Sequence, residues 1–189
     1  MVTRKYVRDY RLEDELGPKG RLRTRAVYVG GDYVFQAPER ATPRARAAAA
    51  ALNLFGWICL LGALALRGRA AHIAWVIVPM AACVLPLAYE SMAVWTLLRV
   101  RPPFRRDQAD KLADRLPISA LAALVLSGAS LFAMCLMHLL ARTGFGPADA
   151  AYLLLAACLA AASALSLRLA GRFKTAKAGN QDVIMRENA

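Results

Sequence analysis

Glu90 is the only Asp, Glu, Lys or Arg between Ala71 and Leu98, a stretch of 28 residues that is otherwise apolar or weakly polar. Eight residues separate it from Leu98, which is about 12 Å along a helix. A carboxylate at such a depth in hydrocarbon costs about 2.5 kcal/mol or more unless it is paired, hydrated or protonated. The chemistry available to it is that of an exchangeable acid, which can hold a proton, pair with a cation or accept hydrogen bonds. Pro79 and Pro86 precede it. Pro86 lacks a backbone donor and predicts a kink just above Glu90, with room for water or a side chain. Other apolar stretches offer partners near that depth: Asn53 in the first, Ser127 in the third, and Ser163 in the fourth, with Ser166 and Arg168 close by. The sequence thus allows a polar layer of Asn53, Glu90, Ser127 and Ser163, with Arg168 available at its edge.

Such a layer can serve three ends. It can hold helices together through interhelical hydrogen bonds, worth about 0.6–2 kcal/mol each. It can carry protons or cations through a homo-oligomer, with Glu90 as the exchanging acid. It can lie beneath a surface that docks to a larger membrane complex. Other chemistries lack residues. Cys59, Cys83, Cys135 and Cys158 fall singly, one in each apolar stretch, without CxxC or Cys/His spacing. They read as small packing residues rather than zinc ligands or a disulfide framework. His72 and His138 fall near the outer ends of two stretches, where they read as solvated, although together they could sense external pH. Nucleophile–base pairs, phosphate loops and metal-ligand clusters are not evident, and no cofactor is expected.

The elements that must position these residues are membrane spans. The chain has 189 residues and is 58% hydrophobic, with its charges crowded into a few segments. Four stretches approach or exceed the roughly 20 apolar residues that cross about 30 Å of hydrocarbon. They cover residues 47–66, 71–98, 116–141 and 150–167, the last extended towards 170 by a snorkelling Arg168. The first 45 residues are charged throughout, so the first span comes too late and is too long to be a cleaved leader. Stripes of small residues, Ala120, Ala123, Ser127 and Ser130 on the third span and Ala156, Ala160 and Ser163 on the fourth, predict close helix packing.

The net charge of +12 would suggest nucleic acid in a soluble domain. Here the basic residues follow the loops instead. Of 25 Lys and Arg, 22 lie in residues 1–46, 99–115 and 168–189, and only Arg67, Arg69 and Arg142 lie elsewhere. This alternation matches four spans, with both termini and the middle loop cytoplasmic under the positive-inside rule. Trp75 and Trp95 fit the two interfaces of the second span, whereas Trp57 falls mid-span and is expected to pack between helices.

The basic front segment has a strand pattern. Residues 5–16 and 21–29 alternate around Gly17-Pro18-Lys19-Gly20, which fits a hairpin with a three-residue turn and bulge. That register opposes Leu16 to Leu22, Leu12 to Ala26 and Tyr10 to Tyr28 on one face, and Glu15 to Arg23 and Glu13 to Arg25 on the other. Gly30-Gly31-Asp32 and Tyr33-Val34-Phe35 then predict a third strand. The middle loop carries alternating charge over Arg105–Arg115 and predicts a short surface helix with Ala109, Leu112 and Ala113 on one side. The tail from Arg172 reads as unstructured.

The sequence therefore predicts a mainly α fold: a cytoplasmic three-stranded antiparallel β-meander over residues 1–36, a linker over 37–46, a four-helix transmembrane bundle over 47–171 and a cytoplasmic tail over 172–189. The expected function is that of a non-enzymatic accessory subunit or membrane-anchored interaction module, with an oligomeric transporter or channel using Glu90 as the alternative. The expected partners are anionic headgroups and another membrane protein or a second copy of the chain, not nucleic acid. The plasma membrane, or a bacterial inner membrane, is the expected location.

Overall fold

A computed structural model describes residues 9–16, 22–36, 42–141 and 146–178. The hairpin forms from β1, Tyr10–Leu16, and β2, Leu22–Tyr28. Its pairs are Tyr10↔Tyr28, Leu12↔Ala26, Glu13↔Arg25, Glu15↔Arg23 and Leu16↔Leu22, the register read from the sequence. The turn at residues 17–20 lies outside the described residues.

The third strand, β3 at Tyr33–Phe35, forms but does not join the hairpin. Its partner is β4, Thr175–Lys177, in the tail that was expected to be unstructured. The N–H groups of Val29 and Gly30 both go to the Asp9 carbonyl, at 2.9 and 3.2 Å, which closes the hairpin before β3 begins. Tyr33 then exchanges backbone hydrogen bonds with Phe104, at 2.9 and 3.0 Å. Aromatic burial accounts for this choice. A lone small sheet is marginal, whereas Phe35 in its observed place packs on Phe104 and Phe173, with ring centroids 5.1 and 6.3 Å away, and is buried. Arg46 covers the Phe35 ring and donates from Nη1 to the Val100 carbonyl at 2.8 Å.

The helices follow the apolar stretches. α1, Pro43–Ala65, starts with proline at its first turn and is capped by the Thr42 hydroxyl, which accepts the Ala45 N–H. The second stretch is two helices, α2 at Ala74–Ala82 and α3 at Val84–Arg99, joined at Cys83. In the middle loop α4, Arg106–Asp110, runs through a π-helical turn at Lys111–Arg115 into α5, Leu116–Ala141. The expected surface helix is thus the base of the third span, with Ala109 and Leu112 buried and Ala113 exposed. α6, Pro147–Ala170, opens on Pro147 and ends in a 3-10 turn at Gly171–Phe173.

Four helices are long and apolar enough to cross a membrane: Pro43–Ala65, Ala74–Arg99, Arg106–Leu140 and Pro147–Phe173. That is consistent with an integral membrane protein. Their outward faces carry Leu54, Ile58, Leu61, Val125, Phe132 and Leu154, a display that a water-soluble bundle would bury. α1 packs on α3 and α6, and α5 packs on α6, α2 and α3, which makes a square bundle. Ala120, Ala123, Ser127 and Ser130 all lie fully buried within it, so this small-residue stripe packs inside the molecule. Gly56 meets two helices at once. A Cβ there would stand 3.2 Å from a Leu87 methyl and 3.5 Å from a Leu159 methyl.

Two apolar clusters result. One, beside the strands, holds Phe35, Ala45, Leu97, Phe104, Leu112, Leu116 and Phe173. The other fills the far half around Leu60, Met80, Leu87, Met134, Tyr152 and Leu159.

Candidate functional site

Glu90 lies on α3 between those clusters and is 2% exposed. The residues that follow Leu87 on α3 and precede Ala93 include it, and Asn53 on α1 and Ser163 and Ser166 on α6 hold the same intermediate station between cluster members. These buried polar residues therefore stand at one level of the bundle. Their hydrogen bonds, however, run in separate sets.

Ser166 of α6 brings its hydroxyl to the Glu90 carboxyl. Asn53 turns instead to Ser91. The Ser91 hydroxyl donates to Asn53 Oδ1 at 2.9 Å, and the Asn53 amide reaches the Leu87 carbonyl at 3.5 Å. Trp57 Nε1 donates to the same Ser91 oxygen at 3.0 Å, which places this indole between helices as its mid-span position predicted. The reason for the split is angular. Leu87 and Ser91 are four residues apart and share one face of α3. Glu90 is rotated about 100° from Ser91 and meets α6 rather than α1.

Ser163 is buried, and its hydroxyl donates to the Leu159 carbonyl of its own helix at 2.9 Å. Ser127 likewise donates to Ala123, at 2.7 Å, and stands at another level. Three contacts set the register of α2 and α3 against α5. Ser130 donates to the Val76 carbonyl at 2.7 Å, the Cys83 thiol lies 3.9 Å from the Ala123 carbonyl, and the Arg115 guanidinium sits 5.9 Å from the Tyr89 ring centroid. In that antiparallel register Glu90 is level with Leu116, and Ser127 stands about 16 Å away, eleven residues along α5. Counting depth from Leu98 and from Leu116 treats those residues as the same boundary. The unbroken run from Arg106 into α5 separates them.

Arg168 is exposed, whereas Asn53, Glu90 and Ser163 are buried. Its position still matters, because it follows Ser166 by only two residues. With Arg115 beside Tyr89, it puts two guanidinium groups within about one helical turn of the Glu90 level. Glu90 therefore lies close to a charged rim of the bundle rather than at the centre of the apolar belt.

The helix break falls at Cys83, between the two prolines rather than at Pro86. Neither Pro79 nor Pro86 can donate to the carbonyl four residues earlier. The Cys83 N–H turns to the Met80 carbonyl at 3.1 Å, while its thiol lies 3.4 Å from the Pro79 carbonyl.

No family model, curated protein or solved structure matches this chain. What the site can do is therefore read from its geometry. Among the described residues no three His, Cys, Asp or Glu side chains come together as metal ligands. Glu90 and Ser166 can hold one proton or one charge.

A second polar group lies in the far half, where Ser130 and Tyr152 share the Val76 carbonyl and stand 2.6 Å apart. His138 was expected to be solvated. It is instead buried beside Asp149, in the first turn of α6. His72 is exposed and is not part of that pair.

At the strand end the hairpin is fixed at its base. Arg106 pairs with Asp9 at 3.6 Å, the Arg106 N–H donates to the Tyr28 hydroxyl at 3.1 Å, and Tyr28 donates to the Gly31 carbonyl at 3.1 Å. Arg105 lies over the Tyr28 ring, and Tyr10 meets it edge-on at 5.3 Å. At the base Val29 is 57% exposed, and further along the hairpin Leu12 is 72% exposed.

Proposed function

We propose that this chain is a multi-pass membrane protein without enzymatic activity, acting as a membrane-anchored interaction module or accessory subunit whose β1–β2 hairpin receives a protein partner on the cytoplasmic side. The observation that carries this reading is the contrast within the hairpin: a base held by an ion pair, hydrogen bonds and aromatic contacts, and a part further along that leaves Leu12 uncovered. An apolar side chain held out on an anchored strand pair suits a docking surface. The cytoplasmic assignment is supported by the charges, because 22 of the 25 basic residues fall in the three segments that meet at this end. β3 belongs to the base of the bundle, so the hairpin alone is the handle.

The test is a Leu12→Asp variant, with affinity capture of full-length protein from native membranes in mild detergent. The wild type should bring down the same partner reproducibly, and the variant should lose it while remaining inserted in the membrane. Equal capture by both, or no reproducible partner of the wild type, sinks the reading.

The alternative is a proton- or cation-linked path through an oligomer. It rests on Glu90, an acid closed in near a charged rim with one hydroxyl as its side-chain partner. Under it, proton-coupled flux in reconstituted vesicles should be present in the wild type and lost in Glu90→Gln. Absence of flux in the wild type removes it.

A further inference from the structure

At the end of the bundle opposite the strands, two buried titratable side chains face each other and take no part in the function proposed above. His138 lies in the last turn of α5 and Asp149 in the first turn of α6. They are 5% and 3% exposed, and His138 Nε2 lies 3.8 Å from Asp149 Oδ2. Asp149 also accepts the backbone N–H of Arg69, in the connection between α1 and α2, at 3.2 Å, and that of Gly146 at 3.4 Å. One carboxylate thus ties the start of α6 to the end of α5 and to the α1–α2 connection. Gly68 permits this approach, since a Cβ there would stand 3.1 Å from Asp149 Oδ1 and from the Ala148 Cβ. The helix poles suit the arrangement: the negative C-terminal pole of α5 attracts a cation and the positive N-terminal pole of α6 an anion.

Among the described residues, the other charged or titratable groups at this end are few. Arg67, Arg69 and His72 on the α1–α2 connection have exposed side chains, and the Tyr152 hydroxyl, one turn into α6, is engaged by Ser130 and Val76. Asp149 is therefore the acid that meets the imidazole.

We propose that His138 and Asp149 form a proton-controlled latch that closes the end of α5 on the start of α6 while the imidazole is charged. An ion pair exists only while the imidazole carries its proton. The attraction is therefore favoured by acidic and opposed by alkaline buffer. A neutral imidazole removes that attraction between α5 and α6, while the Arg69 and Gly146 N–H groups still bond Asp149. Function would follow by exposing or mobilising the outer ends of the spans on one side of the membrane.

The test uses the full chain in nanodiscs, where both faces see the same buffer, so the result does not depend on orientation. Amide hydrogen exchange is followed over Gly146–Tyr152 at about pH 5.5 and about pH 8, corrected for the intrinsic pH dependence of exchange. In the wild type, protection of this segment should fall by about tenfold at the higher pH, while α3 near Glu90 stays unchanged. Asp149→Asn keeps the size and backbone acceptor but removes the charge, and His138→Gln removes the titrating group. Each should abolish the pH dependence, and either one serves if the other fails to fold. Wild-type protection that does not change with pH, or a change that persists in both variants, overturns the latch. Vesicles with the pH changed on one face only then report which side the latch faces. A response from the unexpected face would reverse the orientation and leave the latch standing.

Discussion

Glu90 shows what a residue type can and cannot say on its own. An acid in an apolar stretch announces itself, and so does the need for a partner, because an unpaired buried polar group is costly. Which partner depends on angle and register. Asn53 is at the right level but meets Ser91, while Ser166 rather than Ser163 reaches Glu90. The pairing of His138 with Asp149, rather than with His72, was not legible for a related reason: each is single and near a helix end, and only the approach of α5 to α6 brings them together. If Ser166 and Glu90 interact as described, Ser166→Ala and Glu90→Leu should be non-additive, with a coupling energy of about 0.6–1.7 kcal/mol, the range found for hydrogen bonds between membrane helices. Reversible unfolding in mixed detergent of the two single variants and the double variant measures it. A coupling within about 0.3 kcal/mol of zero would mean that the two side chains do not share a bond.

The same contrast holds for elements. The β1–β2 register was legible because a hairpin is local: its turn residues, cross-strand charge pairs and aromatic pair all lie within about twenty residues and point to one alignment. The pairing of β3 with β4 was not, since it joins segments some 140 residues apart whose only advertisement is three phenylalanines, Phe35, Phe104 and Phe173. How the hairpin is held to α4 can be probed by pH. Burial pushes the Tyr28 phenol above its usual value, the neighbouring Asp9 charge adds to this, and the Arg106 N–H opposes it. The folded form therefore prefers neutral Tyr28. Its contribution to hairpin docking should be complete below about pH 10, the ordinary tyrosine value, and should fade as pH rises through the higher folded one. An absorbance titration of tyrosine ionisation should show a late component that Tyr28→Phe removes, and that variant should unfold with a stability lower by about 1 kcal/mol. A titration curve that loses only an ordinary, early component in Tyr28→Phe would contradict the docking of this hydroxyl.

For the whole molecule, the number of long apolar helices was legible because hydrocarbon thickness sets a minimum apolar length that few other constraints mimic. The relative heights of the spans were not, because the end of an apolar stretch need not be the end of its helix, as the continuous run from Arg106 into α5 shows. Orientation joins the two scales. Phe35 precedes the first span, Phe104 lies between the second and third, and Phe173 follows the fourth, yet the three rings pack together. An even number of crossings is the arrangement in which these segments can meet without threading backbone through the bilayer. The same three segments hold 22 of 25 basic residues, so the proposed cytoplasmic side is set by far more charge than any one substitution can offset. An introduced cysteine reports it cleanly, since the four native cysteines lie in the spans, away from both aqueous rims. In intact cells a membrane-impermeant maleimide should label Arg67→Cys and spare Lys177→Cys; after permeabilisation it should label both. Reversed labelling would place the hairpin outside the cell and remove the cytoplasmic partner with it. Labelling of both positions in intact cells would break the link between strand pairing and an even span count.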